Sequence, residues 1–170
     1  GQEYDAQTLF NRAWKYKTYW GSNGSKGGIT VSGGEPLLQL DFLIDFFTIC
    51  KQHNVSTVID TAGRPFTRDS EWLSKFDKLL SLTDLVILDI KAYDSTLHKS
   101  LTGFNNTNIL DMAKYISDKG IKLWIRHVLV PGLTDQEDEL ISIRSFISTL
   151  KTVERVEILP YHTLGMAKWI

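Results

Sequence analysis

The chain has 170 residues with 42% hydrophobic and 23% charged, so it is long enough for one domain with a sizeable core. Its formal net charge is −1 and no apolar run is long enough to cross a bilayer, so neither nucleic acid nor membrane is indicated as a partner. Its single cysteine, Cys50, excludes an intrachain disulfide and a site built from cysteines alone; with no signal peptide in view, this predicts a cytoplasmic protein. The first residue is Gly1 rather than methionine, as in a piece of a longer chain.

Residues 5–20 read as a helix, with Ala6, Leu9, Phe10, Ala13 and Trp14 at helical spacing and Asp5 as N-cap. Residues 21–28 are a loop by composition. Ile29-Thr30-Val31 is a β-branched run, and a strand is expected over 29–32. Gly33-Gly34-Glu35-Pro36 ends that strand. Two glycines permit positive φ and close approach of another molecule, and the proline forbids continuation. A carboxylate beside bare backbone suits an ammonium group, although an ordinary turn with a solvated glutamate has the same composition.

A second helix is predicted over 39–53, with Leu40, Leu43, Phe46, Phe47 and Cys50 on one stripe; Cys50 there reads as a small buried hydrophobe. A strand over 55–60 leads into Asp60-Thr61-Ala62-Gly63. A third helix carries Trp72, Leu73, Phe76, Leu79 and Leu80, with Asp69 or Ser70 as its cap. Residues 85–90 are almost continuously apolar, the mark of a strand covered on both faces, and contain Leu88-Asp89-Ile90-Lys91. Residues 97–104 read as irregular. A fourth helix over 108–119 ends at Gly120, and a strand over 122–130 closes at Pro131-Gly132. Thr134-Asp135-Gln136-Glu137 reads as a capping box opening a fifth helix, with Leu140, Ile141, Ile143, Ile147 and Leu150 on its buried face. A last strand covers 155–159.

Strands alternating with helices imply parallel pairing with right-handed crossovers. Five strands are too few for a closed eight-stranded barrel, which leaves an open α/β sheet or a partial barrel. Glu35, Asp60, Asp89, Lys91, Arg126 and His162 all fall near the carboxyl ends of predicted strands. In parallel α/β proteins that edge is where ligands bind. Asp89 and Lys91 are two residues apart and share a face. Any one of these residues alone fits a salt bridge equally well; six on one edge point to a site.

Strand-Ser32-Gly33-Gly34-Glu35-Pro36, Asp60-Thr61-Ala62-Gly63, Leu88-Asp89-Ile90-Lys91, Trp124-Ile125-Arg126-His127 and Pro160-Tyr161-His162 follow one another in an order and spacing that resemble the glycyl-radical-enzyme activating enzymes of the radical S-adenosylmethionine (SAM) superfamily. The resemblance runs from about Gly27 to Trp169. It implies a partial TIM-like (β/α)6 barrel in an α/β class, here lacking the first strand, as a single domain over 1–170.

The resemblance also implies roles. Gly33, Gly34 and Glu35 would receive the SAM ammonium group; Asp60, Thr61 and Asp89 would ligate a monovalent cation; Lys91 and Arg126 would face the carboxylate or ribose side; His162 would lie near the adenosine. The cofactors implied are SAM and a [4Fe–4S] cluster. In that chemistry the reduced cluster cleaves SAM to methionine and a 5′-deoxyadenosyl radical, which takes a hydrogen from a glycine Cα of a partner enzyme. Pyruvate formate-lyase is the partner that similarity favours, in anaerobic metabolism, with a flavodoxin or ferredoxin as electron donor. One departure is serious. The family ligates its cluster through Cys-x3-Cys-x2-Cys in the loop after the first strand, and this chain has only Cys50, on a predicted helix. The expectation is a fragment that starts downstream of that loop and is inactive by itself.

Two other classes stay open on the residues. One is a metal-dependent lyase or hydrolase using Asp60, Asp89 and His162, although His-x-His and His-Glu-x-x-His are absent. The other is a non-catalytic scaffold.

Overall fold

The computed structural model describes residues 2–20 and 27–161. Its elements are α1 (Ala6–Trp14), β1 (Gly28–Val31), α2 (Leu40–Gln52), β2 (Ser56–Thr61), α3 (Ser70–Leu80), β3 (Leu85–Asp89), α4 (Ser95–Thr102), α5 (Thr107–Asp118), β4 (Lys122–Leu129), α6 (Glu137–Ile147) and β5 (Val153–Pro160). The five strands form one parallel sheet in the order β1-β2-β3-β4-β5. When sequential parallel strands are joined by right-handed crossovers, every helix lands on the same face. The sheet therefore has one helix-covered outer face and one inner face that corresponds to a barrel lumen. This is the α/β partial-barrel class expected from the sequence.

Strand alternation separates the two faces. Thr57, Ile59, Thr61, Val86, Leu88, Leu123, Ile125 and His127 point outward and are at most 3% exposed. They pack with Phe46, Phe47, Phe76, Met112 and Ile116 from the helices, apart from the polar members, which are hydrogen-bonded. The ladder places Val58, Asp60, Ile87, Asp89, Trp124, Arg126, Arg155 and Glu157 on the inner face.

Three local expectations need correction. Residues 95–102 are helical, not irregular: Asp94 caps α4 by accepting from Leu97 N at 2.7 Å, and Gly103 ends it with φ 83°. Aspartate and glycine are strong end signals, but a polar helix lacks the apolar stripe that reveals longer ones. The box at Thr134 does not open α6, which starts at Glu137 after Gln136. The buried Thr134 hydroxyl donates to Val128 O (2.7 Å) and accepts from Val130 N (2.8 Å), so it closes the Pro131-Gly132 turn instead. On α6 Ile141 is exposed, while Glu139, Ile143 and Phe146 are the buried side chains.

At the other end of the sheet, β1 pairs with β2 alone among the described residues. The α1 helix packs on α2, where Phe10 and His53 lie 4.6 Å apart between ring centroids.

Candidate functional site

The turn after β1 is built by two left-handed glycines, Gly33 (φ 87°) and Gly34 (φ 53°). A Cβ at either would meet nothing within 4 Å, so the backbone here is open to another molecule. The Glu35 carboxylate turns back onto the sheet. Its Oε1 accepts from Leu37 N (3.1 Å) and from the Thr61 hydroxyl (2.6 Å), and its Oε2 accepts from Ala62 N (3.0 Å). Glu35 is thus a strut between the first turn and the end of β2. A carboxylate has about four lone-pair positions, so three internal donors leave it able to take one more.

Asp60 and Asp89 share the inner face with Arg126. Arg126 Nη1 donates to Asp60 at 2.9 Å, and its Nε lies 3.5 Å from the Glu157 carboxylate. Burial works against the Arg126 charge; the hydrogen bond to Asp60 and the charges of Asp60, Glu157 and Asp89 outweigh it and push the guanidinium pKa up. Lys91 pairs with Asp89 Oδ2. The other oxygen, Asp89 Oδ1, is buried with no hydrogen-bond partner, and so is Arg126 Nε. Unsatisfied buried polar atoms cost stability unless something else meets them, and a free carboxylate oxygen fits an ammonium group or a cation.

Thr61 faces away from Asp60 and Asp89. Its hydroxyl is engaged by Glu35 and accepts from Gly63 N at 2.9 Å. Of the three side chains expected around a cation, Asp89 is the one with a buried, unpartnered oxygen; Asp60 gives its Oδ2 to Arg126, and the Thr61 hydroxyl is engaged by Glu35. His162 lies outside the described residues. Glu157 was missed by the sequence reading. Its signal is a register fact: it stands opposite Arg126 across β4 and β5 and also pairs with Arg155 at 3.2 Å. Loop support was missed as well. Glu139 accepts from the backbone N–H of Tyr93 and Asp94, and Asn106 donates to Ala92 O (2.9 Å) and Tyr93 O (2.7 Å). Both pin the segment that follows Asp89 and Lys91.

Cys50 does not fit a cluster. It is fully buried on α2, and desolvation pushes its thiol up to about 11, far from the thiolate an iron ligand must be.

A singly wound parallel sheet with a Gly-Gly-Glu turn and charged residues gathered at its carboxyl edge defines a class. Residues 3–142 match the Radical SAM superfamily, and the chain belongs to it. The chemistry of that superfamily rests on SAM and a [4Fe–4S] cluster. The chain is 51% identical over 169 residues to the pyruvate formate-lyase-activating enzyme of Listeria monocytogenes, covering 99% of itself and 67% of that protein. It is 48% identical to the enzyme of the same name from Streptococcus mutans, over 98% of itself and 62% of the relative. It spans about two thirds of the length of these relatives. The crystal structure of a domain of pyruvate-formate lyase-activating enzyme from Bacteroides vulgatus superposes with a TM-score of 0.71 at 28% identity, covering 80% of this chain and 81% of that one. Within the superfamily, the chain is of the radical SAM activase type. No helix of the described residues is long and apolar enough to cross a membrane.

Proposed function

We propose that residues 1–170 are a single partial-barrel domain carrying the SAM-binding part of an activase that installs a glycyl radical on pyruvate formate-lyase. The reading is carried by one observation: Asp89 Oδ1 is buried and unpartnered beside Lys91 at the carboxyl edge. A zwitterionic amino-acid end fits this edge, with its ammonium at the Gly33-Gly34-Glu35 turn or on Asp89 Oδ1 and its carboxylate toward Lys91. Glu35 both braces β2 and offers its remaining lone pair. Arg126, held by Asp60 and Glu157, orients the ribose side, and His162 the adenosine. A monovalent cation at this end would be held by Asp89 and by the Asp60 oxygen that Arg126 does not use. When bound, SAM supplies the 5′-deoxyadenosyl group whose radical takes the glycine hydrogen. The chain's own residues orient it and exclude water.

A metal-dependent hydrolase is disfavoured because two of the ligands it would use already face cations, Asp60 with Arg126 and Asp89 with Lys91. The electron donor would be a flavodoxin or ferredoxin, in the cytoplasm. The test is anaerobic reconstitution with iron and sulfide of the protein taken over its relatives' full length. Dithionite and SAM are then added, 5′-deoxyadenosine is measured by chromatography, and the glycyl radical on pyruvate formate-lyase by electron paramagnetic resonance. Both products are expected. Residues 1–170 alone should give neither, because Cys50 is their one thiol. Stoichiometric zinc or manganese, without SAM cleavage, would overturn the reading.

A further inference from the structure

Three cavities follow one another along the carboxyl edge, starting at the Glu35 turn. The first is lined by Glu35 and shares Ala62 and Arg64 with the second, of about 170 Å³, which also takes in Lys91 and His98. The second shares Arg64, Phe104 and Asn105 with the third, of about 630 Å³, which takes in Lys99. Together they form one trough leading away from the SAM end.

The trough is built around an exposed aromatic ring. His98 is buried, and its Nδ1–H donates to Phe104 O at 2.8 Å. Gly103 takes the left-handed conformation that turns the chain, and the Thr102 hydroxyl donates to His98 O at 2.8 Å. These bonds hold Phe104 with its side 47% exposed. The Arg64 guanidinium stacks on that ring, with Cζ 3.4 Å from the centroid. Its own backbone carbonyl is held by Asn108 Nδ2. Stacking spends the face of the guanidinium and leaves its N–H edges for a partner. Past the Glu35 end the lining is positive: Arg64, Lys91 and Lys99 line the second and third cavities with no aspartate or glutamate, and carboxylates return only in the adjoining larger cavity, at Asp94, Asp111, Asp138 and Glu139. Among the described residues no carboxylate lies within ion-pair distance of Arg64 or Lys99. Arg68, four positions on, is bidentate to Asp111 at 2.9 and 2.7 Å.

We propose that this trough binds an extended segment of the glycyl-radical partner, continuous with the segment bearing the reacting glycine, and that Arg64 on Phe104 grips a carboxylate side chain of that segment. The inference rests on the activase reading, since the glycine must reach the SAM end, and the trough starts there. Preorganised arginine–aromatic pairs are the side chains that anchor interfaces, and a guanidinium fork matches a carboxylate. Two free cations are too few for a nucleic-acid backbone, which needs several.

The test uses the reconstituted protein over its relatives' full length, with Arg64→Glu, Lys99→Glu, the double variant and Phe104→Leu. Cleavage of SAM without a partner reports on the activase reading alone and should match wild type in all four. Glycyl radical formation, followed against pyruvate formate-lyase concentration, should show KM raised about tenfold in the double variant with kcat little changed, and a weaker salt dependence. Arg64→Lys should retain part of the affinity. An unchanged KM in the double variant, or a parallel loss of partner-free SAM cleavage, would overturn the proposal.

Discussion

The two faces of the sheet are made by alternate residues of the same strands, yet they are governed by different physics. On the outer face Ile59, Leu88 and Ile125 are fully buried under helices, and the polar Thr61 and His127 are there because each has its hydrogen bonds. On the inner face Asp60, Asp89, Arg126 and Glu157 keep 16–23% of their side-chain area exposed and leave Asp89 Oδ1 and Arg126 Nε unmet. The outer face is satisfied by its own chain; the inner face is complete only with something added. Folding and binding are therefore divided by the pleat, so that neighbouring residues can differ wholly in what they do.

Substitutions should break along this division. The largest effect is expected on the outer face: Leu88→Ala leaves a cavity between β3 and the helices and should cost about 2–5 kcal/mol in urea unfolding. Glu35→Ala comes next. It removes a brace that satisfies Leu37 N, the Thr61 hydroxyl and Ala62 N, at about 1–3 kcal/mol, and should also weaken SAM binding, because this residue serves both purposes. A smaller effect lies away from both. Asp84 accepts from Thr57 N at 2.8 Å and pairs with Lys51. Burial would raise its pKa, but the bonds to Lys51 and Thr57 outweigh it and hold the carboxyl below its usual range. Its contribution is present above the carboxylate range and is lost as pH falls through it. Asp84 is about half exposed, so solvent screening shrinks the effect: Asp84→Asn should destabilise by less than about 1 kcal/mol at neutral pH and flatten the acid limb of the stability profile, leaving SAM binding alone.

Much of this was legible from the sequence, and the reason is local. The β-branched and apolar runs at Ile29-Thr30-Val31 and Leu85-Val86-Ile87-Leu88 sit where β1 and β3 form, and Gly33-Gly34-Glu35-Pro36 ends its strand as composition requires. What escaped depends on the partner rather than the residue. Glu157 is one of several charged residues in β5, and only the β4–β5 register puts it opposite Arg126. Thr134 had the spacing of a cap, but a buried hydroxyl with two backbone partners in its own turn bonds there instead. The double use of Glu35 needs β1 and β2 side by side, which no local pattern states.

The most direct test compares Leu88 and Asp89, consecutive residues on opposite faces. SAM affinity is measured by calorimetry on the reconstituted protein over its relatives' full length, alongside its melting temperature. Asp89→Ala should weaken SAM binding by about 1.5–3 kcal/mol, tenfold or more, with melting nearly unchanged, because it removes the free oxygen and its pairing with Lys91. Leu88→Ala should lower the melting temperature and bind SAM as before. Unchanged SAM affinity in Asp89→Ala, or a larger loss in Leu88→Ala, would contradict the assignment of the inner face as the cofactor site.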